Sequence, residues 1–135
     1  MSDRKVAIVT GAATGIGRRI AVTLARDGAD IVIADLNMSE SLVTAAEVEQ
    51  AGGRPLCLST DVADEQAVLE LFRTVDQQIG RIDILVNNAG ICELTPILDL
   101  SVAAWDRMMA INLRSAFMAS REAFRRMKEA ASGRI

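Results

Sequence analysis

The chain has 135 residues, half of them hydrophobic but only 3% aromatic, with 15 Lys and Arg against 18 Asp and Glu for a net charge of -3. That length suits a single domain, 1–135, able to bury roughly two-thirds of the surface its unfolded form exposes. Charges of both signs are interspersed and no apolar run approaches the ~20 residues that span a bilayer, so neither nucleic acid nor a membrane is expected as a partner.

The opening MSDRKVAIVTG has too short an apolar stretch before its glycine for a signal peptide, and the sequence reads as cytoplasmic. Four short apolar runs then read as strands: KVAIVT (5–10), DIVIAD (30–35), PLCLST (55–60) and IDILVNN (82–88). Helical spacing fills the gaps between them. The segment 15–28 sets Ile16, Ile20 and Leu24 on one face and ends at Gly28; the segment 38–51 follows Asn37 with Glu40 at capping-box spacing; the segment 64–79 aligns Val68, Phe72, Val75 and Ile79 before Gly80. Strand and helix alternating in this way imply right-handed crossovers and a parallel α/β sheet.

A last helix is expected over 101–131, with two apolar stripes: Met109, Leu113, Phe117, Phe124 and Met127 beside Ala104, Met108, Ile111 and Met118. Two stripes exceed one buried face. Either the helix lies partly under another segment, or its outer stripe meets a second copy of the chain and makes a homo-oligomer. The closing residues Ser132 to Ile135 read as a helix stop followed by the first step of a fifth strand, without which the ILV of the fourth strand is an apolar edge. Of the two cysteines, Cys57 reads as a small buried hydrophobe, whereas Cys92 follows a glycine-terminated strand end where ligands tend to sit. There is no histidine to complete a zinc set, and no metal is expected.

The stretch TGAATGIG, Thr10 to Gly17, follows the first strand and opens the first helix. Glycines there permit a tight turn, a backbone that approaches a phosphate, and close helix packing, with a pyrophosphate on the helix N-terminus. Asp35 ends the second strand 18 residues beyond Gly17, where a carboxylate can accept from ribose hydroxyls and repel a 2′-phosphate. Neither Thr14 nor Leu36 is basic, which favours NAD over NADP. By spacing alone, an S-adenosylmethionine methyltransferase fits as well.

The detailed motifs separate these. TGAATGIG resembles the cofactor loop of the short-chain dehydrogenase/reductase family, NNAG (Asn87 to Gly90) resembles its second signature, and Asp61-Val62 with WDRMMAINLRSAF (Trp105 to Phe117) follow in the family's order. The resemblance covers the whole chain. It implies a Rossmann-like doubly wound parallel sheet of four strands plus the start of a fifth, with flanking helices. It also implies that Gly11, Thr14, Gly15, Ile16 and Gly17 line the pyrophosphate, Asp35 holds the adenosine ribose, and Asp61 and Val62 meet the adenine. Asn88, Ala89 and Gly90 would border the ribose and the route to nicotinamide, with Asn87 tying strands together. Asn112 matches the family's catalytic asparagine, which works through a water linked to a lysine.

The family's reaction moves hydride between nicotinamide and a carbonyl or alcohol, with a tyrosine and lysine handling the proton and a serine holding the substrate oxygen. This chain has no Tyr, and its only lysines are Lys5 and Lys128, one in the first strand and one late in the last helix. The resemblance therefore points to the cofactor-binding part of an NAD-dependent oxidoreductase ending before its acid-base residues, inactive by itself. A dinucleotide-binding module that acts by binding or dimerising is the alternative.

Overall fold

A computed structural model describes residues 4–135, so the first three residues of the stretch read for a signal peptide lie outside it. Four strands, β1 (Val6–Thr10), β2 (Asp30–Asp35), β3 (Pro55–Ser59) and β4 (Ile84–Val86), form one parallel sheet in the order β3-β2-β1-β4. The chain steps outward from β1 to β3 and then returns to the other side of β1. That reversal creates a crevice between β1 and β4 at their carboxyl ends, the place where such sheets bind ligands.

Alternation along β1 divides the core. Ala7 and Val9 face α1 (Gly15–Arg26) and α2 (Met38–Gln50), where Ala21, Val22, Ala25, Ala45 and Val48 are buried. Val6 and Ile8 face α3 (Glu65–Gln78) and α5 (Ser115–Glu129), against Leu71, Phe72, Met118 and Met127. Both faces of the sheet are covered, which is why its central strands are almost continuously apolar.

Three sequence expectations need correction. Ile16, Ile20 and Leu24 are not the buried face of α1: Gly17, Ala21, Val22 and Ala25 are, and Ile16 is 75% exposed. Small residues let this helix approach the sheet closely, so its large ones are left at the rim. Cys57 is only half-buried in β3, though burial still pushes its thiol pKa up. The long helix runs without a break over 102–129, close to the expected 101–131, but it is not α-helical throughout. It comprises α4 (Val102–Met109), a π-helical turn at Ala110–Arg114, and α5.

The chain itself shows how that turn arises. Ser115 donates its hydroxyl to the Ile111 carbonyl four residues back, the acceptor its own amide would use in an α-helix, and that amide instead reaches Ala110. Of the outer stripe, Leu113, Phe117 and Phe124 are exposed while Met127 is buried. Beside β4, Arg134 forms one parallel bridge with Ile84, and its amide and carbonyl bond Asp83 and Leu85 at 3.0 and 2.9 Å. The expected apolar edge is accordingly reduced, because Leu85 is buried in the α3 and α5 layer.

Candidate functional site

A cleft of about 480 Å³ opens at the carboxyl ends of the strands. Gly11, Thr14, Gly15, Ile16, Gly17, Asp35, Asp61, Val62, Asn88, Ala89 and Gly90 all line it, so residues spread over 80 positions are brought to one surface. Asn112 does not line it. Sequence reasoning missed Ala34, Leu36, Thr60, Ile91, Arg107 and Ile111, which complete the wall. Thr60, which follows β3 and precedes Asp61, could have been found from that position; Arg107 and Ile111 depend on how the last helix crosses the cleft.

The floor is held by polar groups that bind one another. The buried Thr10 hydroxyl accepts from the amides of Asn88 and Ala89, both at 3.1 Å, and donates to the Val86 carbonyl. The Asn88 side chain donates to the carbonyls of Thr10 and Gly11, both at 3.0 Å. Asn88 thus ties β1 to the segment after β4, while Asn87 bonds Ser120 on α5. These bonds also draw the chain out of the sheet at Asn87, which is why β4 is shorter than the expected 82–88. Gly17 has no room for a side chain, because a Cβ there would overlap the Gly11 carbonyl and the Asn88 amide. Gly15 takes φ +57 with open space where its Cβ would be, so the loop turns without closing off the cleft.

The start of α1 differs from those of α2, α3 and α4. Asn37, Asp64 and Ser101 each accept a backbone amide and cap α2, α3 and α4, whereas Thr14 at the start of α1 makes no side-chain cap. An uncapped helix start presents unpartnered N–H groups and the positive end of the helix dipole to whatever occupies the cleft. That arrangement suits an anion. On the neighbouring strand end, Asp35 accepts from the amides of Ala13 at 3.0 Å and Asn37 at 2.9 Å, one on each oxygen, and keeps acceptor capacity toward the cleft. A helix start suited to an anion and a carboxylate with acceptor capacity to spare therefore stand side by side in the cleft.

Residues 5–135 match the short chain dehydrogenase family. The chain belongs to that family. Among its relatives, a D-threitol dehydrogenase of Mycolicibacterium smegmatis is 43% identical over 98% of this chain and 51% of its own length. A cyclopentanol dehydrogenase of Comamonas sp. is 38% identical over 97% of this chain and 52% of its own. A candidate short-chain alcohol dehydrogenase from Sinorhizobium meliloti 1021 superimposes with a TM-score of 0.92 at 38% identity, covering 98% of this chain and 52% of that one. The chain spans about half the length of the relatives it matches.

Asn112, behind the cleft wall, is bonded within the chain. Its amide group donates to the Ile91 carbonyl at 2.7 Å and its oxygen accepts the Ile91 amide at 2.8 Å, so the side chain fastens the strand-end strap Gly90-Ile91 to the π turn. Neither Lys5, just before β1, nor Lys128, on α5, lines the cleft. The family binds NAD(P). No helix among the described residues is long and apolar enough to cross a membrane.

Proposed function

We propose that the cleft binds NAD in preference to NADP, and that the protein is an oxidoreductase moving hydride between nicotinamide and a small carbonyl or alcohol substrate. The observation that carries this reading is the uncapped start of α1 beside Asp35. The amides of Gly15, Ile16 and Gly17 would take the pyrophosphate and Asp35 the adenosine ribose. Asp61 and Val62 would flank the adenine, while Asn88, Ala89 and Gly90 lead toward the nicotinamide, which supplies the hydride when bound. Asn112 acts as a positioning residue that holds Ile91 at the mouth of this route.

NAD is favoured because Asp35 repels a 2′-phosphate, while Thr14 and Leu36 offer no positive charge. Within these 135 residues there is no Tyr or His, and no lysine lines the cleft, so the proton step has no evident carrier. General acid catalysis is typically worth ~10²–10⁴-fold, so these residues alone should bind the dinucleotide and reduce a carbonyl very slowly. Such a cofactor reading also fits a cytoplasmic protein, drawing on that compartment's nicotinamide pool. The exposed Leu113, Phe117 and Phe124 fit a homo-oligomer in which a second copy covers them. Sedimentation should then show a dimer that Phe117→Ser disrupts.

Thermal unfolding with each dinucleotide tests the cofactor assignment. NAD at 100 times its Kd should stabilise the fold by about 2.7 kcal/mol, with NADP at equal concentration giving a smaller rise in Tm. Equal or reversed shifts would overturn the assignment of Asp35.

A further inference from the structure

Arg18 immediately follows TGAATGIG, so by position it could be a phosphate-binding cation. Its guanidinium instead lies beneath the loop and lines no part of the cleft. Nε donates to the Ala13 carbonyl at 3.0 Å and to the Thr44 hydroxyl at 2.9 Å, and Nη2 donates to the Ala13 carbonyl at 2.5 Å and to the Glu40 carboxylate at 2.6 Å. Glu47 stands 3.7 Å from Nη1, and only 19% of the Arg18 side chain is exposed.

Glu40 is free for this contact because the α2 capping box is only half made. Asn37 accepts the Glu40 amide, but the Asn37 amide goes to Asp35 instead of back to Glu40. Ala13 is consequently held at both its carbonyl and its amide. Its carbonyl accepts from Arg18 and Thr44, and its amide donates to Asp35. One residue, Ala13, therefore separates the guanidinium from the carboxylate assigned to nucleotide discrimination.

We propose that Glu40 and Arg18 are a positioning pair that sets which dinucleotide the cleft accepts. Arg18 fixes the Ala13 carbonyl, and through that residue the backbone amide that orients Asp35. Glu40 holds the arginine under the loop and keeps a planar, bidentate phosphate-binding group away from the adenosine end of the cleft. Neither residue touches the cofactor. The inference rests on the reading of the cleft as a dinucleotide site.

The test is direct titration of NADH and NADPH against the wild-type protein, Glu40→Ala, Arg18→Met and the double variant. Glu40 has a side chain 43% exposed, so its removal should leave the fold intact. Glu40→Ala should weaken NADH and tighten NADPH, lowering the preference by about tenfold, the scale of one charge-assisted hydrogen bond. Arg18→Met should weaken NADH without any gain for NADPH, and the double variant should follow Arg18→Met. A purely structural role would weaken both dinucleotides in proportion. An unchanged preference in Glu40→Ala, or a gain for NADPH that survives in the double variant, would overturn the pair's role while leaving the cofactor reading standing. A wild-type protein that binds neither dinucleotide would overturn both.

Discussion

The two ends of the parallel sheet are built from the same strands and treated in opposite ways. At the carboxyl end, α1 starts without a cap and Asp35 retains acceptor capacity, so polar groups are left for something outside the chain. At the amino end the charges are satisfied within the protein. Asp30 receives Arg4 at 2.9 Å together with the backbone and side chain of Arg54, and Asp83 accepts from Arg81 and from the Val6 amide at 2.8 Å. The difference teaches where to look for function and where to look for stability. Substitutions at the first end should change ligand binding, and those at the second should change unfolding and its dependence on pH.

The sharpest way to break this division is Gly17→Ala, where a packing defect and a binding defect coincide. The added Cβ has only backbone and a tied-down amide to push against, so chemical denaturation should show a loss of about 3 kcal/mol, and NAD should no longer raise Tm. Asp30→Asn comes next and acts at the opposite end. It leaves two arginines facing a neutral group and should cost about 1–3 kcal/mol while NAD binding of the folded protein is retained. A large loss of NAD affinity in Asp30→Asn would show that the two ends are not separable.

The amino end should also govern behaviour in acid. Burial by itself would raise the Asp30 pKa, but the hydrogen bonds and charge of Arg54, with Arg4, outweigh it and hold the carboxyl below its usual range; Asp83 is lowered against its own burial by Arg81 and the Val6 amide. A lowered folded-state pKa means the unfolded chain takes up protons first as pH falls. The stabilisation is therefore full above the ordinary carboxylate pKa of about 4 and is lost as pH drops through the lower folded value. Unfolding free energy measured between neutral and acid pH should fall less steeply for Asp30→Asn than for the wild-type protein. Asp35→Ala should narrow the difference between the Tm shifts given by NAD and NADP, and it should lower the ligand-free Tm as well, because the amides of Ala13 and Asn37 lose their acceptor.

Much of the carboxyl end was legible in the sequence because its demands are local. A glycine loop between strand and helix, an acidic residue ending β2 and an NNAG after β4 each announce themselves within a few positions. Together with Asp61-Val62, they converge once the strands are parallel. What was not legible depends on distant packing. The buried face of α1 is made of Gly17, Ala21, Val22 and Ala25 rather than its large aliphatics, since the closeness of the sheet rewards small side chains there. The π turn at Ala110–Arg114 follows from the Ser115 hydroxyl competing for a helix carbonyl and accompanies the bonding of Asn112 to Ile91, and periodicity registers neither. Glu40 looked like half of a capping box. Its carboxylate turned instead to Arg18 because Asp35 had already taken the amide it would have bonded.

The central claim is that the uncapped start of α1 receives the dinucleotide's pyrophosphate. Amide hydrogen exchange of Gly15, Ile16 and Gly17, followed by NMR with and without NAD, tests it most directly. Selective slowing of these three amides, with those at Asp30 and Arg54 unchanged, is the result expected. Protection absent from Gly15–Gly17 while NAD is demonstrably bound would contradict it.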